Sequence, residues 1–348
     1  MNPRERLSAL EGLRGYAAFL VFLVHAFGLL AARVYGISAD LAPVLGEADP
    51  VRALVLFIFH SHYGVDLFFV LSGLLMTDLA MRRWPGARRF FARRLARIYP
   101  AYLLSAVITA TITVWWFGGK VNGWQVVGNL FLLQGFFALG IVAMNPVSWS
   151  LTFEAAFYLL VPLLQRKNLR IAVIVLLASS VPMAIETPFA YFSYFSLFLP
   201  GIALGILDDE RRVALARRIP TACVILAWMA FTLGVKLGFI ANIQPAYYVA
   251  SGIAGGLVVL KTFDDSGFLA RALATPAARW LGKHSYSFFL IHFVVVHLWG
   301  DVVARLVPPG DRALYAGLFL PGALGLSLLA AWLLYAAAER FYFDRRRG

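Results

Sequence analysis

The chain has 348 residues, of which 61% are hydrophobic and only 14% are charged, with a mean hydropathy of +0.76. Soluble domains carry roughly a quarter charged residues, so this composition excludes a soluble globular protein and predicts an integral membrane protein. The net charge of +13 does not indicate a nucleic-acid partner, because the cations stand in short clusters between apolar runs. We interpret these clusters as topology signals that contact anionic lipid headgroups.

The sequence predicts one domain. No linker rich in Ser, Gly or Pro divides it, so residues 1–348 are expected to form a single transmembrane unit. The first apolar run, 10–32, is too long for the core of a signal peptide and is interpreted as an uncleaved first span. The single cysteine, Cys223, allows no intrachain disulfide.

Apolar segments of about 20 residues, the length that crosses a bilayer, predict an all-α polytopic transmembrane bundle. Ten segments qualify: 9–33, 53–81, 97–117, 148–165, 171–187, 190–207, 220–240, 245–262, 284–305 and 313–337. An eleventh candidate, 124–144, contains Gln125, Asn129 and Gln134. If it does not cross, most of the 31 Lys and Arg residues share one side of the membrane. The positive-inside rule therefore favours about ten spans, cytoplasmic termini and a re-entrant or surface segment at 124–144, with eleven spans as the alternative.

Ionisable groups inside predicted spans are functional candidates, because a charge at membrane depth costs roughly 2.5 kcal/mol or more. The first span carries His25, the second Asp66 and the fourth Glu154. In the ten-span topology all three lie in the outer half of the membrane at comparable depth, which predicts a catalytic cluster. A buried structural network is the alternative. Arg14 lies on the same helical face as His25, about 16 Å nearer the cytoplasm, where it could also simply snorkel to the headgroups.

The basic segment 88–100 places Arg89, Arg93 and Arg97 at i, i+4 and i+8 on one helical face. Guanidinium groups at this spacing suit a polyphosphate, through charge-assisted bidentate hydrogen bonds. Binding of lipid phosphate is the alternative. A metal site formed by His60, His62 and Asp66 is conceivable, but enrichment of histidine and aromatic residues at a membrane interface explains these positions more simply. We therefore predict no metal.

Several segments together resemble one enzyme family. They are 10–15 (LEGLRG) followed by His25, 64–73 (GVDLFFVLSG), 91–100 (FARRLARIYP), 149–154 (WSLTFE) and 285–292 (SYSFFLIH). In this order they resemble the acyltransferase-3 family of integral membrane O-acyltransferases. The family often has serine where this chain has Thr152, which also bears a hydroxyl.

The resemblance implies transfer of a short acyl group, usually acetyl, from acyl-CoA to a hydroxyl of a carbohydrate or secondary metabolite. Acyl-CoA is then a substrate, and no permanently bound cofactor is expected. The resemblance also implies that Arg14 and His25 are functional and that the membrane is a bacterial inner membrane. We expect this chain to lack the esterase-like domain that some relatives append.

Residue chemistry and resemblance together predict a mechanism. His25 acts as general base, with Glu154 or Asp66 holding its tautomer; an acyl-histidine intermediate is the rival route. The acyl-CoA phosphates are expected to bind Arg14, Arg93, Arg94 and Arg97. Four further side chains are expected to contact the acceptor or support the catalytic groups: Ser72, Ser150, Tyr286 and His292. The competing hypothesis is a transporter or exporter of a glycan or lipid-linked intermediate that uses His25, Asp66 and Glu154 as a polar relay.

Overall fold

The computed structural model describes residues 3–37, 44, 46–165, 168–178, 190–241, 244–264 and 266–344. Within these ranges every regular element is a helix and no strand occurs. The helices are α1 (Pro3–Tyr35), α2 (Pro50–Phe59), α3 (Gly64–Arg82), α4 (Ala87–Trp115), α5 (Gly123–Leu130), α6 (Trp149–Leu160), α7 (Leu169–Ala178), α8 (Phe198–Ile206), α9 (Asp209–Arg218), α10 (Thr221–Lys236), α11 (Pro245–Lys261), α12 (Phe268–Leu273), α13 (Pro276–Lys283), α14 (Ser285–Leu306), α15 (Arg312–Leu334) and α16 (Arg340–Asp344). A π-helical turn, Tyr335–Glu339, joins the last two, and 3₁₀ turns occupy Phe137–Leu139, Pro146–Ser148, Val161–Leu164 and Ala190–Leu197.

Six helical stretches in the described part are long and apolar enough to cross a membrane. They are Ser8–Tyr35, Pro50–Arg82, Ala87–Trp115, Pro146–Leu164, Ser285–Leu306 and Arg312–Tyr342. One further pair, Phe192–Ile206 with Asp209–Arg218, qualifies only as a single span bent by 108°. The prediction of an all-α integral membrane protein is confirmed, whereas the count of about ten spans is not.

The remaining predicted spans are shorter than expected. Helices α10 and α11 have 16 and 17 residues, which corresponds to about 24–26 Å against a hydrocarbon core of about 30 Å. Of the predicted span 171–187, the part 179–187 lies outside the described residues, and α7 represents the rest. The segment 124–144 overlaps the eight-residue α5 and contains one 3₁₀ turn, and both are too short to cross a bilayer.

Close contact between backbones sets the position of α3 within the bundle. A Cβ added to Gly201 on α8 would lie 1.9 Å from the carbonyl oxygen of Val70, and one on Gly73 would lie 2.3 Å from that of Phe198. Only glycine allows two helices to approach so closely, as is common inside membranes. This contact fixes the depth of α3, which carries Asp66 and Ser72.

A buried cation holds the bend between α8 and α9. The Arg212 side chain is 4% exposed and forms an ion pair with Asp78 over 2.9 Å. It also donates hydrogen bonds to the carbonyl oxygens of Leu204 and Gly205, at 2.8 and 2.9 Å. These carbonyls end α8 and have no partner within the helix, so Arg212 satisfies them while its own charge is neutralised by Asp78.

Candidate functional site

A cavity of about 90 Å³ lies between α1, α3, α4, α6 and α14. Its polar and charged lining consists of Arg14, Ser72, Arg94, Arg97, Ser150, Glu154, Tyr158 and Tyr286. We call it the arginine cavity. Three guanidinium groups face one carboxylate, so its net charge is positive and suits an anionic ligand.

The rotation of α4 decides which arginines enter this cavity. Phe90, Ala101 and Tyr102 are buried and form the face of α4 that contacts the bundle. Arg94 and Arg97 lie beside that buried face and line the cavity. Arg93 is exposed and does not line it. The predicted placement of Arg93 beside Arg97 in one phosphate site is therefore not observed, because Arg93 lies a further 40° around the helix from the buried face than Arg97 does.

Arg94 retains unused hydrogen-bonding capacity next to the cavity. Its guanidinium lies 5.5 Å from the ring centres of both Phe90 and Tyr158. Its Nε is buried and reaches no acceptor among the described residues. A buried N–H without an acceptor is unfavourable, so a ligand that supplies anionic oxygens here would be stabilised.

Glu154 lies within the arginine cavity. Its Oε1 accepts hydrogen bonds from Tyr158 Oη at 2.5 Å and from Ser72 Oγ at 3.2 Å. Glu154 is also an electrostatic neighbour of Arg14. A second buried carboxylate, Glu339 in the π-helical turn, is another electrostatic neighbour of Arg14 and accepts a hydrogen bond from a serine of α14. These carboxylates partly neutralise the guanidinium groups.

A second cavity, of about 160 Å³, contains the predicted base, and we call it the His25 cavity. Its lining comprises Val21, Val24, His25, His62, Val65, Asp66, Val147, Trp149, Tyr194, Tyr247 and Phe289. Aromatic rings form a large part of its wall, and the His62 and Tyr247 rings stack with their centres 5.5 Å apart. The mixture of aromatic and polar walls is typical of small-molecule sites.

Asp66 is held by α11 in this second cavity. Tyr247 Oη and Ser251 Oγ each donate a hydrogen bond of 2.6 Å to the same carboxylate oxygen, Oδ2. Among the described residues no donor reaches Oδ1 of Asp66. The carboxylate is thus fixed by two hydroxyl groups and retains one oxygen that can accept a further hydrogen bond.

The ring of His25 contacts α14 and not a carboxylate. The centre of its ring lies 5.2 Å from that of His292 and 5.0 Å from that of Phe293. No hydrogen bond joins His25 to Asp66 or Glu154 within the described part of the chain. His292 is fully buried, and its Nδ1 lies 3.0 Å from the carbonyl oxygen of Phe288.

The expectation that His25, Asp66 and Glu154 lie at one depth is not met. His25 and Asp66 line the same cavity, but Glu154 lines the other. Glu154 is hydrogen-bonded to Ser72, which lies six residues beyond Asp66, or about 9 Å further along α3. The helix that carries each carboxylate was predicted correctly, but the axial offset between the two helices was not.

The remaining predicted residues are divided between the two cavities. Ser72, Ser150 and Tyr286 line the arginine cavity, and Tyr286 Oη donates to the Ile98 carbonyl oxygen over 3.0 Å. His292 adjoins His25. No group of three His, Cys, Asp or Glu side chains in the described ranges is arranged to hold a metal ion.

Four polar side chains at these sites were not identified from the sequence: Tyr158, Tyr247, Ser251 and Glu339. Tyr158 follows Glu154 by four residues and therefore shares its helical face, which is a usable signal. The other three come from distant helices, and no local pattern marks them.

Comparison with known proteins shows that this chain is similar to acyltransferases. The family model described as an acyltransferase domain matches residues 7–336 of this chain. Acyltransferase MdmB of Streptomyces mycarofaciens is 28% identical over an alignment that covers 97% of this chain and 92% of that protein. No solved structure matches this chain.

Two further relatives carry O-acetyltransferase names. The peptidoglycan O-acetyltransferase OatA of Listeria monocytogenes is 25% identical over 72% of this chain and 47% of its own length. A putative O-acetyltransferase of Staphylococcus aureus is 24% identical over 73% of this chain and 50% of its own length. The alignments thus cover about half the length of each of these two relatives.

Proposed function

Because this chain belongs to the acyltransferase-3 family of membrane enzymes, we propose that it transfers a short acyl group, preferably acetyl, from acyl-CoA to a hydroxyl group of a carbohydrate or secondary metabolite. The donor occupies the arginine cavity, and the acceptor hydroxyl enters the His25 cavity. The arginine cavity faces the cytoplasm of a bacterial cell, both termini are cytoplasmic, and the enzyme lies in the inner membrane.

The observation that carries the donor assignment is the unused Nε of Arg94 beside two further guanidinium groups. Arg14, Arg94 and Arg97 line one cavity, and the buried Nε of Arg94 reaches no acceptor among the described residues. Phosphate oxygens would satisfy this donor through charge-assisted hydrogen bonds. From Arg14 to His25 the axial rise along α1 is about 16 Å, which an extended pantetheine arm can bridge.

The acceptor assignment rests on the size and lining of the His25 cavity. Its volume of about 160 Å³ is close to that of an engineered cavity of about 150 Å³ that binds benzene, so it has room for one six-membered ring. Trp149, Tyr194 and Tyr247 offer aromatic faces, and Oδ1 of Asp66 can accept a hydrogen bond from a ligand hydroxyl. Asp66 thus orients the acceptor, instead of holding His25.

His292, instead of Glu154 or Asp66, fixes which nitrogen of His25 carries the proton. A carbonyl oxygen can only accept, so Nδ1 of His292 carries the proton and donates it to the Phe288 carbonyl. Its Nε2 then bears a lone pair, and in the described structure this buried atom has no partner. His25 is the neighbouring ring that can offer it an N–H. Donation to His292 leaves the other His25 nitrogen as the base.

The reaction balances with these groups alone. His25 accepts the proton of the acceptor hydroxyl, and the hydroxyl oxygen forms a C–O bond to the thioester carbonyl carbon. The C–S bond breaks, and the proton passes from His25 to the departing thiolate. The products are an ester and free CoA.

Purified protein in detergent tests this proposal. With acetyl-CoA and a panel of sugars and polyhydroxylated macrolides, wild-type protein is expected to release CoA in the presence of an acceptor. Replacing His25 with Ala should lower turnover by about 10²–10⁴-fold while the protein stays folded. His284→Ala is the matched control, since His284 lines neither cavity and is not an electrostatic neighbour of His25. Wild-type turnover by folded His25→Ala protein would remove His25 from the mechanism.

A further inference from the structure

The arginine cavity and the His25 cavity share a wall. Val65 on α3 and Phe289 on α14 line both, and no other described residue does. Phe289 is 6% exposed and Val65 is 8% exposed. Phe68 closes the wall on the side of the arginine cavity, with its ring edge-on to Phe289 at a centre-to-centre distance of 5.8 Å. An apolar partition therefore separates the guanidinium groups from His25.

The order of residues along α14 shows where the partition lies between the two cavities. Tyr286 lines the arginine cavity, Phe289 lines both cavities, and His292 contacts His25. These residues recur every three positions and therefore occupy neighbouring turns on one side of the helix. Phe289 is thus one turn from the donor side and one turn from the ring that adjoins His25.

We infer that Phe289, together with Val65, limits the size of the acyl group that the enzyme transfers. This inference rests on the proposed function. If the donor phosphates bind the arginines and the thioester reacts beside His25, the acyl group must pass between Val65 and Phe289. The pantetheine arm follows the acyl group into this gap, so the limit applies where the acyl group rests against Phe289 and Val65 on the side of the His25 cavity. An acetyl group fits there, whereas each added methylene must displace atoms of a close-packed interior.

The His25 cavity strengthens this limit. Its volume of about 160 Å³ is largely used by one ring of the acceptor. A long acyl chain would therefore have to share space with the acceptor at the same time. When two substrates differ by one methylene group, an apolar pocket favours one of them roughly 10- to 200-fold.

The test compares donor chain length within each protein. The ratio of kcat/KM for butyryl-CoA to kcat/KM for acetyl-CoA is measured with one acceptor, by CoA release, for wild type, Phe289→Leu, Phe289→Ala and Val65→Ala. We expect this ratio to rise at least tenfold in Phe289→Ala, and by a smaller factor in Phe289→Leu and Val65→Ala. A ratio within one protein does not depend on the fraction that is folded.

Phe319→Leu is the matched control, because Phe319 is fully buried on α15 and lines neither cavity. Its donor ratio should equal that of wild type. If wild-type protein uses no acyl-CoA at all, the proposed function fails. If wild type is active but the Phe289 and Val65 variants keep the wild-type ratio, or lose activity equally with both donors, the partition does not select the acyl group and the inference is overturned.

Discussion

Arg14 and His25 lie on the same face of α1, yet they line different cavities. Their separation of 11 positions corresponds to about 16 Å along the helix. Helix α14 runs in the same direction, with Tyr286 at the arginine cavity and His292 at His25. Helices α3 and α6 run in the opposite direction. The bundle therefore separates a cationic end from a histidine end. Helices α1, α3, α6 and α14 contribute to both ends, whereas α4 lines only the arginine cavity and α11 only the His25 cavity.

The first prediction separates Arg94 and Arg97 from Arg93. Replacing Arg94 or Arg97 with Ala should raise KM for acyl-CoA by roughly 10- to 150-fold, because a charge-assisted hydrogen bond contributes about 1.5–3 kcal/mol. KM for the acceptor should change little. Arg97→Lys should keep part of the affinity for acyl-CoA that Arg97→Ala loses, since lysine keeps the charge but not the bidentate geometry.

Arg93→Ala is the control, because this arginine is exposed and lines neither cavity. Steady-state kinetics with varied acyl-CoA provide the measurement. An equal effect of all three alanine variants would show that the basic segment acts through general electrostatics, and unchanged KM in all three would place the donor elsewhere.

The second prediction concerns His292. His292→Gln places an amide oxygen near the position of Nε2, whereas His292→Asn can replace only the Nδ1 donor. The glutamine variant should therefore keep more turnover than the asparagine variant, with KM for both substrates nearly unchanged in each. Equal loss in the two variants, with matching loss of thermal stability, would indicate that His292 only fills the core.

The third prediction concerns the break between α2, which ends at Phe59, and α3, which begins at Gly64. Lys236 is buried and donates hydrogen bonds to the carbonyl oxygen of Phe57 and to Ser61 Oγ, the latter at 3.1 Å. Its ammonium group also lies 4.3 Å from the ring centre of Phe57. Lys236→Met should lower the free energy of unfolding by about 1.5–3 kcal/mol, because it removes hydrogen bonds from a charged donor.

Thermal unfolding in detergent measures this change. Lys283→Met is the matched control, since Lys283 also lies over an aromatic ring, that of Tyr335, but is exposed. An equal, small effect of both substitutions would mean that Lys236 does not hold the helix break.

The fourth prediction concerns topology. In the ten-span arrangement α10 and α11 form a hairpin that crosses the membrane, although each is shorter than a typical span. A reporter fused after Ala241 should then signal an external location, and one fused after Asn168 should signal the cytoplasm. A cytoplasmic signal at both positions would show that the hairpin does not cross, and an external signal at Asn168 would contradict the ten-span topology.

The sequence by itself determined the class of this protein and the kinds of residue at its site. Apolar segment length and the spacing of charges are local properties, so they predicted a helical membrane bundle with His25, Asp66 and Glu154 inside it. The same local reasoning placed the arginines at the start of α4 and His25 three turns after Arg14.

Only the tertiary structure decided which of these groups meet. The rotation of α4 follows from the burial of Phe90 and selects Arg94 over Arg93. Asp66 receives its hydrogen bonds from residues 181 and 185 positions away. The depth of Glu154 relative to Asp66 depends on the axial position of α6 relative to α3. Such offsets come from side-chain packing between helices, and the periodicity of a single helix carries no information about them.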